Sequence, residues 1–434
     1  WVWPRHTGDF SLFRVYADKD NRPAAYSPDN QPYKPRHYLP IKLGGVEPGD
    51  FTMVYGFPGR TDEYLTAAAI AQTADVLDPA KVEIRDKALK VMDGFMRADP
   101  DIKIAYIARF AGIANAWKKW LGEMQGLKTY KAVERKQALE AEFTRRVNQN
   151  VGWKVKYGNL LPRLNQSYKD LEPYAFARDN YIETFLRNIQ LMGLVSSLNS
   201  WIGNYESGNM PAFTSGIGSR KTRMEGFYKD YRPAVDKAVF VALAERYPEK
   251  MPADWGGSVV KNAAALQGGF AGLADFIFSY SILADQDKWN KLAAGDPAAF
   301  GAALSNDPAV TFWRGVSAPY RDLVTPKLEE LQTNVNLLQR QYMAAQMEVF
   351  SEKRFFPDAN GTLRLTYGKV QGYSPRDAVI YDHQTDLDGV MEKYVPGDYE
   401  FDVPQKLIDL WKTKDYGRYA TRDGRMPVAF IGTN

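Results

Sequence analysis

The chain has 434 residues, 45% of them hydrophobic, and 56 Lys and Arg face 52 Asp and Glu for a formal net charge of +4. That length suggests roughly two to four domains, and a charge so nearly balanced gives little support to a nucleic-acid partner. The absence of cysteine excludes disulfides, thiol nucleophiles and zinc–thiolate sites, and the histidines at 6, 37 and 383 are too scattered for a His-rich metal centre, so no metal is expected.

The first stretch, 1–61, has β character. "FSLFRVYA" (10–17) alternates, "YLPIKL" (38–43) is a short apolar run, and "DFTMVYGF" (50–57) is bracketed by turn residues; Pro, Asn and Asp dominate the loop between them. From 62 to 356 the periodicity is helical. "DEYLTAAAIAQTADVL" opens with acids suited to a helix N-terminus, and "DPAKVEIRDKALKVMDGFMRAD" follows, with Asp78 in a cap-like position before Pro79. "DIKIAYIARFAGIANAWKKWLGEMQGL" predicts another helix. A charged amphipathic helix is expected from Lys128 to Asn148, and a last long one from about Leu323 to Phe350. The longest apolar stretch, Gly268 to Ala284, carries Asp275 in its middle and reads as a buried helix, too short and interrupted to span a bilayer. From 357 onward β character returns in "TLRLTYGKV", "DYEFDVP" and "PVAFIGTN", with a helix expected at "PQKLIDLWKT". No fixed-period repeat marks a solenoid. This order is that of one β domain interrupted by an α insertion, since two separate β pieces would each be small for a closed barrel. The chain opens without Met or a leader, and its last apolar run stops as it reaches turn residues, so both ends are expected to cut through a domain.

Chemistry is harder to read. No G-x-S-x-G elbow occurs, "GIGSRKT" lacks the order of a phosphate loop, and carboxylate pairs are too many to single one out. The opening "WPRHTGDFSLFRVY" places His6 three residues before Asp9 with no nucleophile nearby. On the residues alone, Asp9 reads as a turn or cap beside Gly8, and Asn115 as a polar residue on an exposed helix face.

Longer motifs supply more. "WVWPRHTGDFSLFRVYAD", "PYKPRHYLPIKLGGVEPGDFTMVYGFPGRT", "GIANAWKKW", "NIQLMGLVSSLNS" and the ending "MPVAFIGTN" resemble the dipeptidyl-peptidase 7 and 11 family. These are bacterial serine exopeptidases of the chymotrypsin clan. The resemblance implies an α+β chain, part of a chymotrypsin-like double β-barrel interrupted by a large all-α helical insertion, with barrel segments at 1–61 and 357–434 and a helical cap at 62–356. It implies a serine dipeptidyl-peptidase that needs no cofactor and acts on oligopeptides with a free N-terminus. Asp9 matches the triad acid, Trp1 and Asn115 match residues that grip the substrate ammonium, and His6 is left as structural. The base and the serine are expected outside this stretch of chain. The family also implies a periplasmic or cell-envelope location, a homodimer, and a helical cap that blocks long substrates; the two-domain pattern adds the expectation that the cap moves relative to the barrels. The alternative is a non-catalytic, peptide-binding or scaffold member of the same fold. The choice between acidic and hydrophobic P1 residues is set beyond the nucleophile in that family.

Overall fold

A computed structural model describes residues 3–8, 10–398 and 400–434. The chain divides into two compact units, Asp62–Pro357 and Trp1–Thr61 together with Asp358–Asn434.

The unit at 62–357 is helical throughout. Its helices are α1 (Ala67–Gln72), α2 (Asp78–Ala98), α3 (Pro100–Thr129), α4 (Ala132–Gln149), α5 (Val151–Tyr157), α6 (Leu160–Tyr181), α7 (Gln190–Glu206) and α8 (Met210–Asp230). They continue as α9 (Pro233–Lys250), α10 (Gly257–Leu266), α11 (Phe270–Tyr280), α12 (Gln286–Ala293), α13 (Pro297–Ser305), α14 (Pro308–Pro319) and α15 (Thr325–Val349). Asp–Pro dipeptides start three of them: Asp99, Asp296 and Asp307 each accept backbone N–H bonds while the following proline takes the first helical position. Asp78–Pro79 looks the same in sequence but does not cap. A π-helical segment, Thr73–Leu77, runs continuously from α1 into α2, so Asp78 lies inside the helix. It is buried, bonds Lys81 at 2.8 Å, and burial raises its pKa. The helix expected from Lys128 to Asn148 is interrupted because Lys131 turns left-handed at φ 50°; α3 ends before that turn and α4 starts after it.

Two cores hold this unit together. One is built on α2, α3, α7 and α9, and it contains Ile84, Met92, Tyr106, Phe185, Leu198, Phe240 and Tyr247. The other is a seam between α6 and α15. Along α15 the buried positions Leu328, Leu331, Val335, Leu338, Tyr342, Ala345 and Val349 alternate in steps of three and four, a coiled-coil spacing that meets Leu164, Tyr168, Leu171 and Ala175 of α6. In the first core Trp201, Phe213, Phe300 and Trp289 join α7, α8, α13 and α12, Trp201 stacking on Phe213 at 4.6 Å. Gly301 lets α13 approach α7 there, because a Cβ at 301 would lie 2.2 Å from the Tyr205 ring.

The other unit carries β1 (Tyr16–Ala17), β2 (Gln31–Pro32), β3 (Phe51–Gly56), β4 (Arg364–Lys369), β5 (Tyr373–Arg376), β6 (Val379–Tyr381), β7 (Gln384–Asp386) and β8 (Pro427–Phe430), with α16 (Leu387–Met391) and α17 (Gln405–Thr413). The strands pair antiparallel as β1–β2, β3–β4, β5–β6 and β7–β8, so the described residues form four two-stranded ribbons and close no barrel. The alternation at 10–17 becomes a strand only at Tyr16–Ala17, and "YLPIKL" and the described residues of "DYEFDVP" form none. Phe10, Leu12 and Phe13 are exposed, with no partner strand among the described residues to receive an apolar face. No helix of the described residues is long and apolar enough to cross a membrane.

Gly301→Val is expected to lower the stability of the full-length protein by about 1–3 kcal/mol through overpacking against Tyr205. Chemical denaturation reads it, and an unchanged midpoint would mean that α13 moves away from α7 at no cost.

Candidate functional site

Of the residues picked out in the sequence, Trp1 and Asp9 lie outside the described residues. Asn115 is described. It is exposed on α3, immediately after the buried pair Ile113 and Ala114.

The turn that presents Asn115 is held from behind. The Arg85 guanidinium, on α2, donates to the Ile113 carbonyl at 3.0 Å and makes a two-pronged ion pair with Glu183 at 2.7 and 3.1 Å. Its planar group lies over the Trp120 ring, 4.6 Å from the centroid, and the Lys81 ammonium approaches the same ring at 4.5 Å. Both partners of the ion pair are buried. Glu183 sits on a second π-helical segment, Ile182–Asn188, and the Asn188 side chain donates back to the Glu183 carbonyl at 2.6 Å.

One turn and a half before Asn115, Arg109 ties α3 to the same segment by donating to the carbonyls of Arg187 at 2.8 Å and Asn188 at 2.9 Å. Those carbonyls stand where the helix ends, so a cation there also suits the local dipole. The chain then passes through extended Ile189 into α7, whose first N–H groups, from Gln190 and Leu191, donate to the Asp236 carboxylate at 2.7 and 2.8 Å. Burial raises the Asp236 pKa, opposed by those two N–H bonds and by the Arg109 charge. Burial likewise pushes the Tyr106 phenol up, with the Asp236 charge adding to it. The Gln190 amide donates to the Tyr106 oxygen at 2.6 Å. Asn115 thus rides on a helix fastened by charge-assisted bonds to a π segment, a combination common at functional sites.

In the other unit, the segment that precedes position 9 is pinned at three points. The Trp3 indole donates to the Asp382 carbonyl at 3.1 Å, and the Thr385 hydroxyl to the Arg5 carbonyl at 2.6 Å. His6 Nδ1 lies 3.0 Å from the Lys393 ammonium, and its ring rests on Gly389, where any Cβ would come 2.1 Å from Nε2. Burial and the Lys393 charge lower the His6 pKa, so the neutral ring with Nδ1 accepting is the form this contact favours. His383 forms a separate pair with Asp382 at 2.6 Å. No group of three or more acidic or histidine side chains among the described residues could hold a metal ion.

Sequence reasoning missed Arg85, Glu183, Asn188, Arg109 and Asp236. A signal for the first was present: Arg85 shares the spacing of Lys81, Ala88, Met92 and Met96, so it places a charge on an apolar stripe. Its partner Glu183 is about a hundred residues away and leaves no local trace.

A family model described as Peptidase S46 matches residues 1–434. The chain is 46% identical over 434 residues to an Asp/Glu-specific dipeptidyl-peptidase of Flavobacterium psychrophilum, covering 100% of this chain and 60% of the relative. It is 33% identical over 437 residues to dipeptidyl-peptidase 7 of Porphyromonas gingivalis, covering 100% and 60%. The crystal structure of Porphyromonas endodontalis DPP11 with the dipeptide Arg-Glu superposes with a TM-score of 0.83 at 32% identity, covering 100% of this chain and 61% of that one. The chain therefore spans about 60% of the length of the curated relatives it matches.

Arg85→Met in the full-length protein is expected to cost about 3–5 kcal/mol of stability by stranding the buried Glu183 carboxylate, and Arg85→Met with Glu183→Met to recover most of it. Equilibrium denaturation of the single and double variants checks this. A single-variant loss below about 1 kcal/mol, the level of an exposed pair, would show that the pair is solvated.

Proposed function

We propose, on the premise that this chain belongs to the peptidase S46 family, that its full-length protein is a serine-type dipeptidyl aminopeptidase releasing dipeptides from the free N-terminus of peptides. The observation that carries the reading is the family match over the whole chain, joined by relatives named as dipeptidyl-peptidases at full coverage of it. A solved relative holding a dipeptide supports the substrate class.

The roles follow from the chemistry of that reaction. A serine hydroxyl must lose its proton to an imidazole as it attacks the scissile carbonyl, and a carboxylate must hold that imidazole in the right tautomer. Asp9 is assigned that carboxylate. The serine and its base are assigned to segments of the full-length protein outside this chain. Cutting after the second residue requires a grip on the substrate's α-ammonium. Asn115 is assigned the accepting oxygen and Trp1 the aromatic face. The fastening of α3 by Arg85 and Arg109 supports Asn115 in this role, because an exposed amide selects an ammonium position only if its backbone does not drift. No cofactor enters the proposed reaction.

The β unit (1–61 and 357–434) is assigned to a chymotrypsin-like double β-barrel and residues 62–356 to the helical cap. Support comes from β3 and β4, which expose Phe51, Tyr55 and Tyr367 at 67%, 70% and 70%, apolar surface suited to further strands. An acidic P1 residue is proposed because the chain is more similar to the Asp/Glu-specific relative than to dipeptidyl-peptidase 7. A periplasmic or cell-envelope location and a homodimer belong to the same proposal, resting on the family resemblance alone.

Full-length enzyme with dipeptidyl fluorogenic substrates tests these assignments. Asp9→Ala is expected to lower kcat by about 10⁴-fold, the scale for losing a triad acid, and unimpaired turnover would remove Asp9 from the triad. Asn115→Ala is expected to lower kcat/KM by roughly ten- to a hundredfold, mostly through KM, as loss of a charge-assisted bond requires. An unchanged KM would dismiss the clamp. Faster release after Leu than after Asp or Glu would overturn the acidic preference.

A further inference from the structure

A cavity of about 370 Å³ opens in the helical unit where α3, the π segment, α7 and α8 meet. Its charged lining is all of one sign. Arg109 and Arg223 face it, Gln190 adds an amide, and no acidic side chain lines it; Leu186, Leu194 and Phe227 make its apolar walls. The Arg109 guanidinium is oriented in advance by two carbonyls, which occupy only one of its amino nitrogens. Its Nε is buried without a hydrogen-bond partner. A buried donor left unpaired is costly and rare. Asp236, the carboxylate whose field reaches Arg109, forms no ion pair with it and is already engaged by two backbone N–H groups and the Tyr231 hydroxyl at 3.4 Å. Arg223, on α8, is exposed and has no hydrogen bond or ion pair among the described residues.

We infer that this cavity binds the carboxylate of a small organic acid or of a peptide C-terminus, gripped between Arg109 and Arg223 with its apolar stem against Leu186, Leu194 and Phe227. A guanidinium fork fits a planar carboxylate by two parallel bonds; Arg223 offers such a fork, Arg109 adds a single donor from the amino nitrogen its carbonyls leave free, and with no competing acid the pair discriminates against neutral groups. The apolar walls favour an organic anion over inorganic phosphate, which would leave them wetted. The cavity size lies within the usual range for a small ligand. This assignment does not depend on the N-terminal clamp, since the group recognised is an anion and not an ammonium.

The test is calorimetric titration of full-length protein with N-acetylglycyl-leucine, which has a free carboxylate and no ammonium for a clamp to hold. Parallel arms use its C-terminal amide, acetate and inorganic phosphate. Saturable binding with a dissociation constant on the order of 1 mM is expected for the acid, weakening with added salt, against none for the amide. Arg223→Ala and Arg109→Lys are each expected to weaken it by about tenfold or more, as loss of a charge-assisted bond implies. Acetate binding as tightly as the acetylated dipeptide would restrict the site to free small acids; the reverse order assigns it to peptide C-termini. Equal binding of acid and amide, tighter binding of phosphate than of the acid, unaltered binding in Arg223→Ala, or no saturable heat would each overturn the inference. Should Arg109→Lys fail to fold, the amide arm and Arg223→Ala, at an exposed position, decide it. Loss of dipeptide binding here with normal peptidase activity, or the reverse, separates this inference from the proposed function.

Discussion

The helical unit depends on a charge placed where charge is expensive. Arg85 and Glu183 are buried against each other beside a core that is mostly apolar. Taking both ions out of water costs several kcal/mol each, and their attraction repays this only with good geometry and satisfied remaining donors. The third bond from Arg85, to the Ile113 carbonyl, and the stacking over Trp120 meet that condition. An apolar pair of similar volume would hold the helices together as well, but it would tolerate sliding and rotation. A forked ion pair with a further directional bond does not. It sets the register of α2, α3 and the π segment against one another, and with it the azimuth of Asn115.

The π segment follows from the same demand. Wide turns cost hydrogen-bond quality, and they persist where the surroundings over-determine them. Here Glu183 is claimed by Arg85, Asn188 closes back on the Glu183 carbonyl, and Arg109 takes the two last carbonyls. The change of direction at Ile189 is completed by Asp236, whose carboxylate caps α7 from a position fully shut off from water. Arg109 and Asp236 are therefore neighbours that serve different backbone ends, and each keeps unsatisfied electrostatic demand. In Asp236 that demand surfaces as a raised pKa; in Arg109 it surfaces as an unpartnered nitrogen beside a cavity.

Helical character between 62 and 356 was legible because 3.6-residue periodicity is local, and the last long helix was expected close to where α15 lies. Where local rules failed, a non-local constraint had won. Asp78–Pro79 carries the cap signature that works at Asp99, Asp296 and Asp307, yet the π segment before it continues the helix and buries the aspartate beside Lys81. Residues 10–17 alternate as a strand should, but alternation states only which faces are apolar, not that a partner exists to cover them. Of the candidate site, Asn115 was picked out through resemblance alone, because an exposed asparagine on a helix carries no pattern of its own. The residues that brace it were hidden by distance along the chain: Arg85 puts a charge on its stripe, but its partner Glu183 lies about a hundred residues away.

The two units solve the stability problem differently. The helical unit buries aromatic and aliphatic side chains in two continuous cores and spends polar groups on directional bonds inside them. The β unit pins the segment around Trp3 to His6 with single bonds from Trp3, Thr385 and His6, while β3 and β4 leave large apolar side chains in solvent on a two-stranded ribbon. A two-stranded ribbon is at best marginal in water, and a long apolar one is also a template for unwanted pairing. Six residues of register between β3 and β4 do not offset that exposure. In the helical unit the geometry that presents Asn115 is set by contacts within 62–357, from Arg85 to the Ile113 carbonyl and from Arg109 to the end of the π segment.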